Sequence, residues 1–209
     1  MVSSLFVMFL MKRIFDLIFS FTAILFLSPL LALICIAIKF DSKGPILFKQ
    51  NRVGMHQEIF QLYKFRTMYY DQSSDGEIGN NESAAQARKR YITTTVNDSR
   101  ITKIGMLLRK YHIDELPQLL NILKNEMSLI GPRPDVPAQK IDYSKNQWIR
   151  RHKVKPGISG LAQIYSGSPK FSYSLRVALD LKYQKSKSLL LDVFIFQQTI
   201  RKVLLGKSF

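Results

Sequence analysis

Residues Ile14–Ile38, IFDLIFSFTAILFLSPLLALICIAI, carry Asp16 as their only charge. As a straight helix this run reaches roughly 37 Å, enough to cross a hydrocarbon core of about 30 Å. Two details weigh against a plain span. Ser28-Pro29 sits in the middle, where proline removes a helical hydrogen bond and clashes with the preceding turn. Basic residues flank both ends: Lys12 and Arg13 before, Lys39 and Lys43 after, with Lys49 and Arg52 beyond. If positive charge marks the cytoplasmic side, both ends belong there. A helix–break–helix that enters and leaves by one face satisfies this, with the Ser28 hydroxyl bonding a carbonyl freed by the proline. A continuous transmembrane helix remains the alternative on composition alone. Residues Met1–Leu10 carry no positive charge, which argues against a cleaved signal peptide, and Met11-Lys12-Arg13 would itself make a natural start.

Around this segment, 209 residues suffice for one core. The 31 Lys+Arg against 15 Asp+Glu give a formal net charge of +16. Such an excess seeks anions: nucleic acid, lipid head groups or phosphorylated substrates. Cys35 is the single cysteine, so no intrachain disulfide can form.

Beyond the apolar run, Asp41-Ser42-Lys43-Gly44-Pro45 is turn chemistry. Ile46–Phe48 and Ile59–Phe65 read as strands of a hairpin joined through Asn51–Glu58, with Gly54 at the bend. Lys64 and Arg66, two apart, should project from one face. Residues 70–85 read as a long polar loop, and Ile104–Leu108 as a short helix ending in Arg109 and Lys110. A second helix should begin near Asp114, with Pro117 in its first turn and Leu116, Leu119, Leu120 and Leu123 facing the core. Ile141–Lys153 is expected to be helical, with Trp148 on its apolar side. Ser188–Leu205 is a basic amphipathic helix suited to a membrane interface or to a globular core. The expected class is α+β: a re-entrant membrane helix–break–helix over 1–40, then a second domain over 41–209. That domain would hold a short β-hairpin, a small mainly helical body and interfacial amphipathic helices.

The chemistry concentrates in Asp114-Glu115-Leu116-Pro117-Gln118-Leu119 and Gly131-Pro132-Arg133-Pro134. A carboxylate pair beside a rigid cation suits work on a phosphate. In isolation Asp114 reads as a helix N-cap and Glu115 as a first-turn acid. Arg133 is held extended by the prolines on either side. Arg109, Lys64, Arg66 and Lys155 are further phosphate candidates, while His112 and His152 read as structural or peripheral.

In order along the chain, Lys12-Arg13-Ile14-Phe15-Asp16, Ser28-Pro29, Gly44-Pro45-Ile46-Leu47-Phe48, Gln50-Asn51-Arg52-Val53-Gly54 and Lys64-Phe65-Arg66-Thr67-Met68 precede the acidic pair. Arg100–Gly105, Leu108-Arg109, Met127–Pro134 and Lys155–Gln163 complete the series. Together they resemble the bacterial sugar transferases, or monotopic phosphoglycosyltransferases, from about Met11 to the end. The upstream block of transmembrane helices found in larger members has no counterpart, so the chain resembles the minimal catalytic unit. The resemblance implies an enzyme that moves a sugar 1-phosphate from a UDP-sugar to undecaprenyl phosphate and releases UMP. It implies Asp114 as nucleophile, Glu115 as ligand of Mg²⁺, and Gln163 among the substrate-binding residues. The setting implied is the cytoplasmic face of the bacterial inner membrane, at the first membrane step of a surface glycan. Two departures stand out. Asn125-Glu126 replaces the usual glycine and aspartate, and Ile164-Tyr165-Ser166 replaces an Asn-Gly-Arg stretch whose arginine helps hold the nucleotide sugar; Lys170 and Arg176 are the candidate substitutes. The competing classes are a basic, membrane-tethered nucleic-acid-binding protein and a non-catalytic scaffold. Against the first, the basic residues are scattered and no nucleic-acid-binding motif is present; against the second, the acidic pair is intact.

Overall fold

A computed structural model describes residues 2–70, 88, 98–168 and 170–205. The polar loop expected over 70–85 lies, beyond Tyr70, outside the described residues.

The apolar run forms one helix, α1 (Val2–Asp41), with Pro29 inside it. The helical assignment thus runs through the expected break at Ser28-Pro29, and the local chemistry explains why. Proline at 29 cannot donate to the carbonyl four residues earlier, that of Leu25. The Ser28 hydroxyl donates to that same oxygen at 2.8 Å. The orphaned acceptor is satisfied and the helix continues.

A helix apolar all round should be surrounded by apolar matter, but α1 finds protein along one stripe only. Asp16, Ser20, Ile34 and Ile38 are buried. Phe19, Ala23 and Ile24 pack on the main core around Leu119, Ile122, Met127, Leu129 and Ile195. Leu31 and Cys35 pack on a second cluster with Phe65 and Leu108. Phe21, Leu25, Phe26, Leu33 and Phe40 remain exposed, Phe26 at 82% and Phe40 at 89%.

Polar bonds weld α1 to the same body on both sides of its apolar run. At the first end Arg13 donates to the Ile122 and Leu123 carbonyls at 2.7 and 3.2 Å. Lys12 donates to the Ile130 carbonyl at 3.0 Å and pairs with Asp192. The Leu129 amide donates to Asp16 at 3.1 Å. At the other end Arg66 donates to the carbonyls of Pro45, Ile38 and Ser42, and the Ile104 amide donates to Asp41.

The hairpin pairs β1 (Leu47–Val53) with β2 (Ile59–Phe65) in antiparallel register, Phe48 opposite Lys64 and Val53 opposite Ile59. The first strand runs to Val53, beyond the expected Phe48. Its polar residues Lys49–Arg52 hid it, whereas the Gly54 amide bonding the Glu58 carbonyl at 2.7 Å closes a tight loop that keeps the strands paired. His56 and Gln57 turn that loop with positive φ.

Among the described residues, five α-helices and two short strands follow before the C-terminal helix. Thr102 caps α2 (Lys103–Lys110) by accepting from the Gly105 amide. Next come α3 (Gln118–Leu123) and β3 (Ser128–Ile130). The helix expected from Ile141 starts at Lys145, because Pro137–Asp142 forms a 3-10 stretch and Ser144 with Gln147 makes a capping box for α4 (Lys145–Arg151). Strand β4 (Gly157–Ser159) runs parallel to β3, Ser128 opposite Gly157. Only glycine fits there, since a Cβ on Gly157 would collide with the Gly131 nitrogen. The chain then forms α5 (Leu161–Tyr165), α6 (Tyr173–Ser186) and α7 (Leu189–Leu204). Helix α7 buries Ile195 and sets Phe196 edge-on to Phe19 at 5.4 Å, yet leaves Leu190, Val193 and Leu204 exposed. It thus packs on the core with one face and presents another apolar face outward.

Candidate active site

Asp114 and Glu115 lie in a 3-10 turn, Ile113–Glu115, entered through His112 in the left-handed region (φ 55). The α-helix proper begins later, at Gln118, with Pro117 as its cap. The expectation that Asp114 sits at a helix N-terminus is thereby corrected: proline lacks the N–H to continue a helical ladder backward, so the turn stays separate. The local field comes from side-chain cations instead.

Lys64, near the end of β2, donates to Glu115 Oε1 at 2.7 Å and stands 3.9 Å from Asp114 Oδ2. Arg133 donates to the same Glu115 Oε1 at 2.8 Å. Arg109, in the last turn of α2, donates to Thr67 at 2.8 Å and acts on Asp114 through its charge. Four groups named from sequence alone thus converge: the acidic pair, Lys64 and Arg133, with Arg109 beside them. Burial would push the Glu115 carboxyl up, but Arg133 and Lys64 prevail and hold it well below the usual carboxylate range. For Asp114 the balance reverses. Burial raises its carboxyl, and Lys64 only partly opposes this. Asp114 is buried, yet its carboxylate accepts no hydrogen bond among the described residues. An ionised carboxylate so placed is costly and has its lone pairs available.

Three predicted residues are not brought to this cluster. Arg66 is buried and spent on the carbonyls that fix the end of α1. Lys155 donates to the Asn125 side chain and lies near Arg13 and Lys12. Gln163 donates to the Ile158 carbonyl at 2.8 Å within the β4–α5 corner. Of the two candidates for the missing arginine's place, Arg176 pairs with Asp135 and Asp180, and Lys170 is exposed. The Asn125 departure has a simple rationale, because its φ of 69 is one that asparagine tolerates better than most residues. His152 is structural as expected, buried with Nδ1 2.8 Å from the Trp148 carbonyl oxygen. His112 lies within electrostatic reach of Glu115, Arg133 and Lys64, and burial pushes its imidazole down.

Sequence reasoning missed the support beneath Arg133. Arg151 is buried and donates to the Arg133 carbonyl at 2.7 Å, to Asp135 and to Asp180 at 2.9 Å. Tyr143 and Arg176 also donate to Asp135. Burial would raise the Asp135 carboxyl, but Arg151 and Arg176 outweigh it and hold it low. Arg52 donates to the Pro134 carbonyl at 2.7 Å. Asp135 directly follows the Gly-Pro-Arg-Pro motif, which was the one available signal; its partners on α4 and α6 are legible only in three dimensions. Also missed was Gln118, which with Arg52, Leu62, Lys64, Arg133, Pro134 and Gly157 lines a cleft beside Glu115.

A buried acidic pair faced by three cations thus sits on a body that carries a helix apolar and long enough to cross a membrane. The family model described as "Bacterial sugar transferase" matches residues 7–206, and the chain belongs to that family. It is 40% identical over 206 residues to an undecaprenyl-phosphate glucose phosphotransferase of Komagataeibacter xylinus, a match that covers 94% of this chain and 36% of that protein. It is 40% identical over 203 residues to the uncharacterized sugar transferase EpsL of Bacillus subtilis, covering 95% of this chain and 90% of that one. It is 37% identical over 199 residues to the exopolysaccharide production protein ExoY of Rhizobium meliloti, covering 94% and 87%. The chain thus spans well under half the length of some relatives and nearly the whole of others.

Proposed function

We propose that this protein transfers a sugar 1-phosphate from a UDP-sugar to undecaprenyl phosphate and releases UMP, as the first membrane step of a surface glycan. The observation that carries the reading is the Asp114 carboxylate: buried, without a hydrogen bond among the described residues, and set among Lys64, Arg109 and Arg133. The names of relatives that act on undecaprenyl phosphate support the acceptor.

In the proposed first step an Asp114 oxygen attacks the β-phosphorus, and the bond from that phosphorus to the bridging oxygen breaks, so UMP leaves with the electron pair. In the second step an oxygen of undecaprenyl phosphate attacks the same phosphorus and expels the Asp114 carboxylate. That acceptor is already ionised at neutral pH, so no general base is needed. Lys64 and Arg133 lower the repulsion between carboxylate and diphosphate.

The acidic pair fits Mg²⁺, which takes one or two carboxylates with phosphate oxygens rather than a full protein cage. Glu115 spends Oε1 on both cations and keeps Oε2 without a hydrogen bond among the described residues. Bound there, the ion would draw negative charge from the diphosphate. Glu115→Gln should accordingly lower turnover roughly a hundred- to a thousandfold, and added magnesium should not restore it. The test of the function is UMP release from a series of UDP-sugars, UDP-glucose first, with undecaprenyl phosphate and magnesium. No UMP from any of them would refute it.

We also propose that both ends of α1 lie at the cytoplasmic face of the inner membrane, with residues 41–209 as the catalytic domain there and the exposed faces of α1 and α7 in lipid. The support is mechanical. Lys12 and Arg13 tie α1 to the body ahead of the apolar run, and Arg66 ties its C-terminal end to the same body. A crossing helix would need that body on both sides of the bilayer. Single cysteines placed at Ser3 and at Lys43 should therefore both resist an impermeant reagent in intact cells. Labelling of the Ser3 position from outside would establish a span.

A further inference from the structure

The cleft beside Glu115 contains a residue that neither the acidic pair nor its cations account for. Gln118 is 3% exposed, lines the cleft, and its side-chain amide makes no hydrogen bond among the described residues. Buried amides are ordinarily paired with protein or water; the Gln118 amide is not fully sealed from solvent, so a ligand in the cleft would take the place of water there. Asn121, on the same helix, shows the ordinary case: it donates to the Gln61 carbonyl and to Glu126, and accepts from the Tyr63 amide. Gln118 instead faces a space bordered by Lys64, Arg52 and Arg133, and no carboxylate lines that space. Nitrogen donors on its walls select an anion over a neutral hydroxyl.

We propose that Gln118 contacts the substrate, its amide N–H donating to a phosphate oxygen lodged among Lys64, Arg52 and Arg133. The reading rests on the proposed function for the source of that phosphate, either the diphosphate of the nucleotide sugar or the phosphate of the lipid acceptor. Lys64 and Arg133 serve two carboxyl-side roles at once: they hold Glu115, and they border the anion. Gln118, being neutral, adds a donor without drawing Glu115 away from them. It fixes where the phosphate sits.

The test is calorimetric titration of the full chain in detergent with inorganic pyrophosphate, for wild type, Gln118→Met and Gln118→Glu, with melting temperatures measured alongside. Methionine keeps the shape and removes the donor, so binding should weaken about ten- to a hundredfold at an unchanged melting temperature. Glutamate puts a carboxylate among the phosphate oxygens, and binding should be lost. Wild-type affinity in either variant, or no pyrophosphate binding by the wild type, would overturn the proposal. So would a fall in melting temperature with affinity intact, the signature of a purely structural amide. Displacement of pyrophosphate by UDP assigns the cleft to the donor, and displacement only by undecaprenyl phosphate assigns it to the acceptor; displacement by neither overturns the phosphate reading. Absence of UMP release while pyrophosphate still binds through Gln118 would refute the proposed function and leave this inference standing.

Discussion

Asp114→Asn is expected to abolish UMP release, a loss on the order of 10⁴-fold or more if Asp114 is the nucleophile. The same variant should be more stable than the wild type at neutral pH. Burial raises the Asp114 carboxyl above its usual value, so the folded state binds that proton more tightly than the unfolded chain does. Above both pKa values the ionised form therefore costs stability, and the cost disappears as pH falls through the folded pKa. Asparagine carries no such cost. Its melting temperature should exceed the wild type's at pH 7, and the gap should close under mild acid. In the wild type the same raised pKa places the acid limb of the first half-reaction above the ordinary aspartate range of about 3.9. A variant that loses activity and loses stability would indicate a structural carboxylate instead. Lost function with gained stability is the pattern of a group kept charged for chemistry.

The second large effect is expected far from the acidic pair. Arg151→Met removes a buried cation that bridges Asp135 and Asp180 and holds the Arg133 carbonyl. Removing one member of a buried ion network leaves carboxylates uncompensated, at a cost of about 3–5 kcal/mol. Arg176 stays close to both carboxylates and should keep the loss nearer the lower figure. Denaturant unfolding in a fixed detergent would measure it. Arg151→Lys should recover only part of the loss, since an ammonium cannot reproduce the fork that reaches Asp135, Asp180 and the Arg133 carbonyl at once. A change under about 1 kcal/mol would show that the network contributes little. In the folded fraction, donor binding should weaken more than in a variant of comparable stability elsewhere, because the arginine between its prolines loses its anchor.

Much of the site was legible because its residues are close in sequence or carry rigid neighbours. Asp114 and Glu115 are adjacent, and Arg133 is fixed by Pro132 and Pro134; local chemistry sufficed for these. Lys64 was legible as a cation on a strand, but not its partner, since pairing to Glu115 depends on how β2 meets the 3-10 turn. Arg66 misled for the same reason: two residues on, it looks equivalent to Lys64, yet it ends on the carbonyls of the α1–β1 connection. The fold shows the same limit. The alternation of Ile59–Phe65 announced a strand, whereas the polar residues of β1 concealed most of theirs. Lys12 and Arg13 read as charges flanking a membrane segment. In the structure they are also clamps, one on the strand before Arg133 and one on the helix after Asp114. Helix α1 is thus tied to both halves of the site.

Mass spectrometry of the protein is the sharpest test of the proposed covalent link between Asp114 and a sugar phosphate. Wild-type protein mixed with magnesium and an accepted UDP-sugar, without lipid acceptor, should release UMP in a burst stoichiometric with enzyme. A sugar-phosphate mass increase should appear on the peptide that contains Asp114, and undecaprenyl phosphate should then discharge it. Full turnover with acceptor present, but with neither burst nor adduct in its absence, would contradict the account and point to direct transfer between the two substrates, with Asp114 reduced to an orienting group.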